Sequence, residues 1–326
     1  MEIKNILVVG GAGYVGSHVC KLLHRRGFEI TVVDNLETGH AAAVKWGRLI
    51  QASILDVPTL LSVFAREPFD AVFHFAASSI VPESVADPYK YYSNNLGGTL
   101  NLLQAMRQFE VRRLVFSSTA AIFGEPLSAV IDETHPVRPI NAYGRSKAAV
   151  EDMLEDAARA YGLSAATFRY FNAAGADPDG EIGESHEPET HLIPRLCQLA
   201  AGAAVEVTIN GDDYATKDGT CVRDYVHVAD IGDAHVLGLD YLIANPGFHA
   251  FNLGAGHGHS VREVVEKVRA VSGVGFKVPL AGRRAGDPAM LVASNERARR
   301  CLDWRPKYDL DSIVRHALAW QRNRTF

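Results

Sequence analysis

Apolar residues come in short continuous runs along the first half of the chain: "NILVVG" (5–10), "EITVVD" (29–34), "DAVFHFAA" (70–77), "RRLVFSS" (112–118) and "AATFRYFN" (165–172). Runs of this length, rich in β-branched and aromatic residues, predict strands buried on both faces. Between them the apolar positions return at helical spacing. One helix is predicted from Val15 to Arg26, with Gly27 after it as a stop, and a long one from Tyr89 to Phe109. A third, in "INAYGRSKAAVEDML" (140–154) and beyond, has its stripe at Val150, Met153, Leu154, Ala157, Ala158 and Tyr161, with Gly162 as its stop. Fully apolar strands alternating with helices predict an α/β domain whose parallel sheet is covered on both faces.

The pattern changes after residue 172. Residues 173–190, "AAGADPDGEIGESHEPET", are rich in Gly, Pro and acids and predict the lip where the chain leaves the sheet. Beyond it the pattern is mixed. Helices are expected near 192–201, 229–244 and 260–272, and strands near 204–209, 222–228 and 250–253. "SVRE" (260–263) is a capping-box signature for the last helix. The expected organisation is therefore a sheet domain over 1–172, to which segments near 222–254 return, and a smaller mixed α/β lobe over 173–326.

The third helix raises a chemical question. Stepping back from Leu154 by four and three gives Val150, Lys147 and Tyr143, so a tyrosine and a lysine continue the buried stripe. A solvated lysine belongs on the other side, where Glu151, Asp152 and Glu155 are expected. Gly144 between the two weakens a helix, which suits a close approach to its backbone. Taken alone, the pair reads equally as a buried tyrosine packed on a lysine stem.

Composition narrows the setting. The chain has 326 residues, 47% hydrophobic and 22% charged, with a net charge of -5, which gives no sign of a nucleic-acid or polybasic membrane surface. No apolar run is long enough for a secretory signal or a membrane span. Cys20, Cys197, Cys221 and Cys301 are scattered, so neither a disulfide framework nor a zinc site is indicated, and a reducing cytoplasm is the simplest location. His257 and His259 in "GAGHGHS" lie in a glycine loop without a near third ligand, and the 13 histidines are otherwise scattered; no metal is expected.

"VVGGAGYVGSH" places Gly10, Gly13 and Gly16 between the first strand and the first helix. There, glycines permit the tight turn and let a pyrophosphate reach the N–H groups of the helix start. Asp34 ends the second strand. Its carboxylate can accept hydrogen bonds from an adenosine ribose and would repel a 2′-phosphate, so NAD is expected rather than NADP. A nicotinamide at the carboxyl ends of the strands needs an acid–base group beside it. A free tyrosine titrates near about 10, and a lysine charge close by stabilises its phenolate. Tyr143 then takes a proton from a substrate hydroxyl while NAD takes the hydride. "SSTAAIFG" (117–124) ends a strand just before this helix and offers Thr119 as a hydroxyl partner, or as a strand-end cap.

The glycine motif, "SST" and Tyr143-x-x-x-Lys147 resemble the short-chain dehydrogenase/reductase superfamily in its extended form. Longer stretches resemble its UDP-sugar 4-epimerases: "VVDNLETGH", "PESV", "YYSNN", "RYFNAAGAD", "HLIPRL", "DGTCVRDYVHVADI" and "RRAGDPA". This resemblance covers nearly the whole chain. It implies a Rossmann-type, doubly wound parallel sheet with a smaller mixed α/β substrate-binding C-terminal lobe, working as a homodimer. It implies that UDP-glucose and UDP-galactose interconvert through transient NAD-dependent oxidation at C4.

Roles follow residue by residue. The resemblance makes Tyr143 the base, Lys147 its electrostatic partner and a ribose anchor, and Thr119 the substrate hydroxyl partner. It gives NAD contacts to Gly10, Gly13, Tyr14, Val15, Gly16, Asp34, Asn35, Ser53, Ile54, Phe75, Ala76, Ala77, Asn95, Ser117, Tyr143, Lys147 and Tyr170. It places Asn172, His191, Leu192, Arg223, Tyr225, Arg284 and Asp287 on the nucleotide diphosphate and its ribose, and Leu291 at the sugar. A diphosphate suits arginine forks, although surface solvation is the ordinary fate of Arg223 and Arg284. Four positions depart from the family's pattern. Ser53 stands for a common Asp near adenine, Ser79 for a frequent lysine near the cofactor phosphate, and Phe123 for the usual tyrosine. Leu291 stands for a bulkier tyrosine, which would leave room for an N-acetyl group. Three other readings stay open: a 4-epimerase of UDP-GlcNAc or UDP-glucuronate, a sugar-nucleotide 4,6-dehydratase, and a non-catalytic NAD-binding protein. The dehydratase is disfavoured because Ala120 and Ala121 follow Thr119 where an Asp–Glu pair is needed.

Overall fold

The structure, a computed structural model, describes residues 3–284 and 287–326. The chain divides into two compact units. The first comprises the chain up to Gly124, then Pro136–Arg169 and Gly232–Phe251; the second comprises Glu125–His135, Tyr170–Ile231 and Asn252–Phe326.

The first unit is built on a seven-stranded sheet. Its strands are β1 (Asn5–Val9), β2 (Glu29–Asp34), β3 (Arg48–Gln51), β4 (Ala71–His74), β5 (Arg113–Thr119), β6 (Ser164–Tyr170) and β7 (Phe248–Leu253), in the order β7-β6-β5-β4-β1-β2-β3. The pairs β1–β2, β2–β3, β1–β4 and β4–β5 are parallel. The strand order reverses at β1, and in such sheets ligands lie outside the carboxyl ends of the strands at this switch. Ile6 to Val9 and Val72 to Phe73 are wholly buried, as strands covered on both faces require. Leu7, Val9, Leu114 and Phe116 of the sheet join one core cluster with Leu102, Val150 and Leu154 from the helices.

Helices α1 (Tyr14–Arg25), α2 (Val57–Arg66), α3 (Gly98–Gln108) and α4 (Ala142–Tyr161) belong to this unit. The helix expected over Tyr89–Phe109 is broken into three pieces. Pro88–Tyr91 and α3 are α-helical, and Tyr92–Gly97 between them is a π-helical turn. The wider turn accompanies a fully engaged Asn95, which receives the Ser78 N–H at 2.8 Å and donates to the Ser78 carbonyl at 3.0 Å and to Ser146 Oγ at 3.1 Å. Helical periodicity alone does not reveal such an insertion.

Helix α4 starts on Asn141, whose side chain accepts the Gly144 N–H at 2.8 Å, and stops at Gly162 in the left-handed region. A Cβ on Gly144 would stand 2.5 Å from the Ala121 carbonyl oxygen. The close neighbour that this glycine admits is thus the loop after β5. Tyr143 and Lys147 are buried as the periodicity predicts. Two expectations for this helix fail. Glu151 is buried, not solvated, because Arg169 neutralises it. Tyr161 is 53% exposed, and its ring carries the Arg107 guanidinium 3.9 Å from the centroid.

In the second unit, α5 (Leu192–Ala200), α7 (Val261–Ser272) and α8 (Leu310–Asn323) share a core of Ile193, Leu196, Val264, Val268, Ile313, Val314 and Leu318. Between them in sequence, α6 (Val228–Ala244) runs from this unit into the first. The Ser260–Glu263 capping box is present in both directions. The strand expected near 204–209 is reduced to Ile209–Asn210. That expected over 222–228 is two strands, Val222–Arg223 and Tyr225–His227, in different sheets. Asp224 separates them, fully buried, with its carboxylate accepting the N–H groups of Ala255, Gly256 and Ala293.

Candidate active site

The glycine turn makes a bare backbone cradle. Gly10 has φ +83°, and a Cβ there would collide with the Ala76 nitrogen; a Cβ on Gly16 would collide with the Gly10 carbonyl oxygen. Phe75 and Ala76 both donate their N–H groups to the Val9 carbonyl, which joins the end of β4 to the turn. Gly13 caps α1 without a side chain, and the first turn of α1 carries no acid, so its N–H groups suit an anion. Asp34 is buried and accepts the Ala12 N–H at 3.0 Å and the Leu36 N–H at 2.9 Å. Burial raises its carboxyl above the ordinary range, against the pull of those two N–H groups. Each oxygen keeps lone pairs for a ribose diol. Tyr14 and Val15 open α1 half-buried, Ile54 is buried, and Asn35 is exposed beside Asp34. Ser53 Oγ accepts the Leu55 N–H at 3.1 Å, and Ser79 is exposed. The cradle, the uncapped helix start and Asp34 fit a dinucleotide.

Helix α4 carries the buried Tyr143–Lys147 pair. Lys147 is 3% exposed, and its Nζ donates to the Ser117 carbonyl at 2.8 Å and lies 4.6 Å from the Phe116 ring centroid. Burial lowers its pKa to about 7, and the Glu151 charge opposes that fall. One turn on, Glu151 receives Ser118 Oγ at 2.5 Å and the Arg169 guanidinium at 2.6 Å. The end of β5 is therefore tied to α4 at two successive turns. Thr119, next along the strand, accepts the Ala121 N–H at 3.1 Å, as a strand-end cap does, and its proton can still be donated. The Tyr143 ring stands edge-on to Tyr91, centroids 6.3 Å apart. Glu151 escaped the sequence reading although it lies four residues after Lys147, on the same face.

In the second unit, Arg223 donates to Asp287 at 3.2 Å and to the Pro288 carbonyl at 2.8 Å, and Leu291 is its register partner. Tyr225 pairs with Asn172 in a parallel ladder, and burial pushes its hydroxyl up to about 12. Tyr170 is half-buried at the end of β6, and Arg284 is exposed. His191 and Leu192 begin α5, but His191 belongs to a cluster with Glu184, His186 and Glu189. Burial alone would lower the two imidazoles. The carboxylates of Glu184 and Glu189 outweigh it, raising His186 to about 9 and His191 to about 10.

A Rossmann-type sheet with this glycine turn and a buried Tyr-x-x-x-Lys pair defines a nucleotide-dependent enzyme of the extended short-chain dehydrogenase/reductase type. Residues 6–254 match the NAD dependent epimerase/dehydratase family, and the chain belongs to that family. Within it, its place is with the UDP-glucose 4-epimerases. The chain is 51% identical over 320 residues to the UDP-glucose 4-epimerase of Lacticaseibacillus casei, covering 98% of this chain and 97% of that one. The crystal structure of the Brucella ovis UDP-glucose 4-epimerase in complex with NAD superposes with a TM-score of 0.93 at 49% identity, covering 97% of both chains. A UDP-Glc/GlcNAc 4-epimerase of Campylobacter jejuni superposes with a TM-score of 0.86 at 45% identity, covering 98% of this chain and 99% of that one.

Proposed function

We propose that this chain interconverts UDP-glucose and UDP-galactose by inverting C4. The observation that carries the reading is the buried Tyr143–Lys147 pair, anchored on the Ser117 carbonyl, in a chain alike over its full length to UDP-glucose 4-epimerases. Bound NAD supplies the hydride acceptor at C4 and the donor that restores it to the opposite face. The chain does the rest. Tyr143 removes the C4 hydroxyl proton and returns it later. Lys147, held by Ser117, places its charge beside the phenolate, and the Thr119 hydroxyl holds the same substrate oxygen. The 4-keto sugar must turn over, so the nucleotide is gripped and the sugar is not. We assign the grip to Asn172, His191, Leu192, Arg223, Tyr225, Arg284 and Asp287, and the sugar's neighbourhood to Leu291. We assign NAD to the glycine turn, Asp34 and Asn35, the turn at Ser53 and Ile54, the strand end Phe75–Ala77, Asn95, Ser117, Lys147 and Tyr170. A homodimer working in the cytoplasm completes the reading. Among the described residues no helix is long and apolar enough to cross a membrane.

Proton NMR of the chain with UDP-galactose and NAD tests this: the anomeric signal of UDP-glucose should grow in. Absence of conversion with demonstrable NAD binding would remove the sugar assignment and leave the fold. UDP-GlcNAc in the same tube reports on Leu291.

The Asp34 carboxylate makes a second expectation. NAD should bind at least about tenfold more tightly than NADP, a difference of about 1.4 kcal/mol, because a 2′-phosphate would meet a buried negative group. Titration with each nucleotide measures it, and equal affinities would overturn the role given to Asp34.

A further inference from the structure

Four metal-ligand residues in "ESHEPETH", Glu184, His186, Glu189 and His191, fold so that one ligand-type atom from each lies within 4.8 Å of all the others. His186 Nδ1 is 3.3 Å from Glu184 Oε1 and 3.4 Å from Glu189 Oε2. His191 Nδ1 is 2.8 Å from the same Glu184 oxygen and 3.0 Å from Glu189 Oε1. The two carboxylates are buried, with side chains 5% and 6% exposed, whereas the imidazoles reach solvent at 28% and 51%. The sequence reading left His186 among the scattered histidines and gave His191 a nucleotide contact only.

We propose that this cluster is a binding site for a divalent cation of the zinc class, held by the two imidazoles and the two carboxylates. Ligand atoms about 2.0–2.2 Å from a tetrahedral zinc stand about 3.3–3.6 Å from one another. The two His186 separations already have that length, whereas His191, which meets the other oxygen of Glu189, stands about half an ångström too close to both carboxylates and must draw back as the ion enters. Two nitrogen donors select against calcium and magnesium, which take oxygen.

The charges also balance. Two buried carboxylates are neutralised either by two imidazolium ions or by one dication with two neutral imidazoles. One dication matches the charge of the two carboxylates, and any proton on an imidazole nitrogen leaves to solvent as that nitrogen ligates the ion, with nothing oxidised or reduced. The loop is held in shape around the site. Trp320 Nε1 donates to the Glu184 carbonyl at 2.9 Å, and Glu189 Oε1 accepts the N–H groups of Thr190 and His191 at 2.8 Å each. His191 is also the N-cap residue of α5, so a bound ion clamps the start of that helix.

The test uses cobalt(II) as the probe and does not depend on the epimerase reading. The whole chain, freed of metal by chelator, is titrated with Co²⁺ and then with Zn²⁺. One equivalent of Co²⁺ should give the intense visible absorption of a four-coordinate ion, and one equivalent of Zn²⁺ should abolish it. His186→Ala and, separately, Glu184→Gln should weaken binding by about 100-fold or more, with circular dichroism reporting whether each variant is folded. Absence of four-coordinate absorption in the unaltered chain would show an ion-pair cluster only and overturn the proposal. So would a band that both folded variants retain. Should His186→Ala fail to fold, the unaltered chain and Glu184→Gln decide the matter.

Discussion

Tyr143→Phe is expected to lower the rate of UDP-galactose conversion by about 10²–10⁴-fold, the usual worth of a positioned acid–base group, and to leave NAD binding unchanged. The substitution removes one oxygen and keeps the ring. The edge-on packing against Tyr91 and the small cluster with Ala142 therefore survive. The glycine turn and Asp34, which are assigned to the dinucleotide, lie on other elements. The NMR assay gives the rate, and nucleotide titration gives the binding. A variant that converts UDP-galactose within tenfold of the unaltered rate would remove Tyr143 from the chemistry. Unaltered NAD binding with lost turnover would also dispose of the alternative that the chain only binds the dinucleotide.

The largest stability effect is expected at Arg169. Its guanidinium meets Glu151 in a pair whose side chains are 8% and 6% exposed. A buried pair of this kind contributes little net stability, but removing one partner strands the other charge out of water, at a cost of about 3–5 kcal/mol. Among the described residues, Arg169→Met leaves the Glu151 carboxylate with the Ser118 hydroxyl as its hydrogen-bond partner and the more distant Lys147 charge, so the denaturation midpoint should fall accordingly. Adding Glu151→Gln to Arg169→Met removes the stranded charge and should recover most of the loss. A fall below about 1 kcal/mol for Arg169→Met alone, or no recovery in the double variant, would show that the pair is effectively solvated. The link to function is positional. The pair sits one helical turn beyond Lys147 and, with Ser118, fixes the end of β5 against α4, where Lys147 reaches the Ser117 carbonyl.

Much of this was legible along the chain, because it depends on short sequence separations. Unbroken apolar runs become strands covered on both faces wherever they occur. A glycine turn between a strand and a helix has few other uses, and Tyr143 and Lys147 share a face because four residues make about one turn. The capping box of the last predicted helix spans three residues and formed as expected. The failures involve partners far away in sequence. Glu151 belongs by local pattern with the solvated acids, yet Arg169 and Ser118 draw it inside. The Tyr89–Phe109 helix breaks around Asn95, whose partners are Ser78 and Ser146. Asp224 divides an otherwise continuous strand because it receives N–H groups from residues 255, 256 and 293. The Glu184–His191 cluster is local in sequence, but four side chains met there only because the loop turns them toward one another under Trp320. By itself the sequence determined the sheet domain, the glycine turn between its first strand and helix, and the face that Tyr143 and Lys147 share, since periodicity and backbone sterics act over a few residues. The tertiary structure alone decided which charges are buried and with whom, since desolvation depends on what the rest of the chain brings alongside.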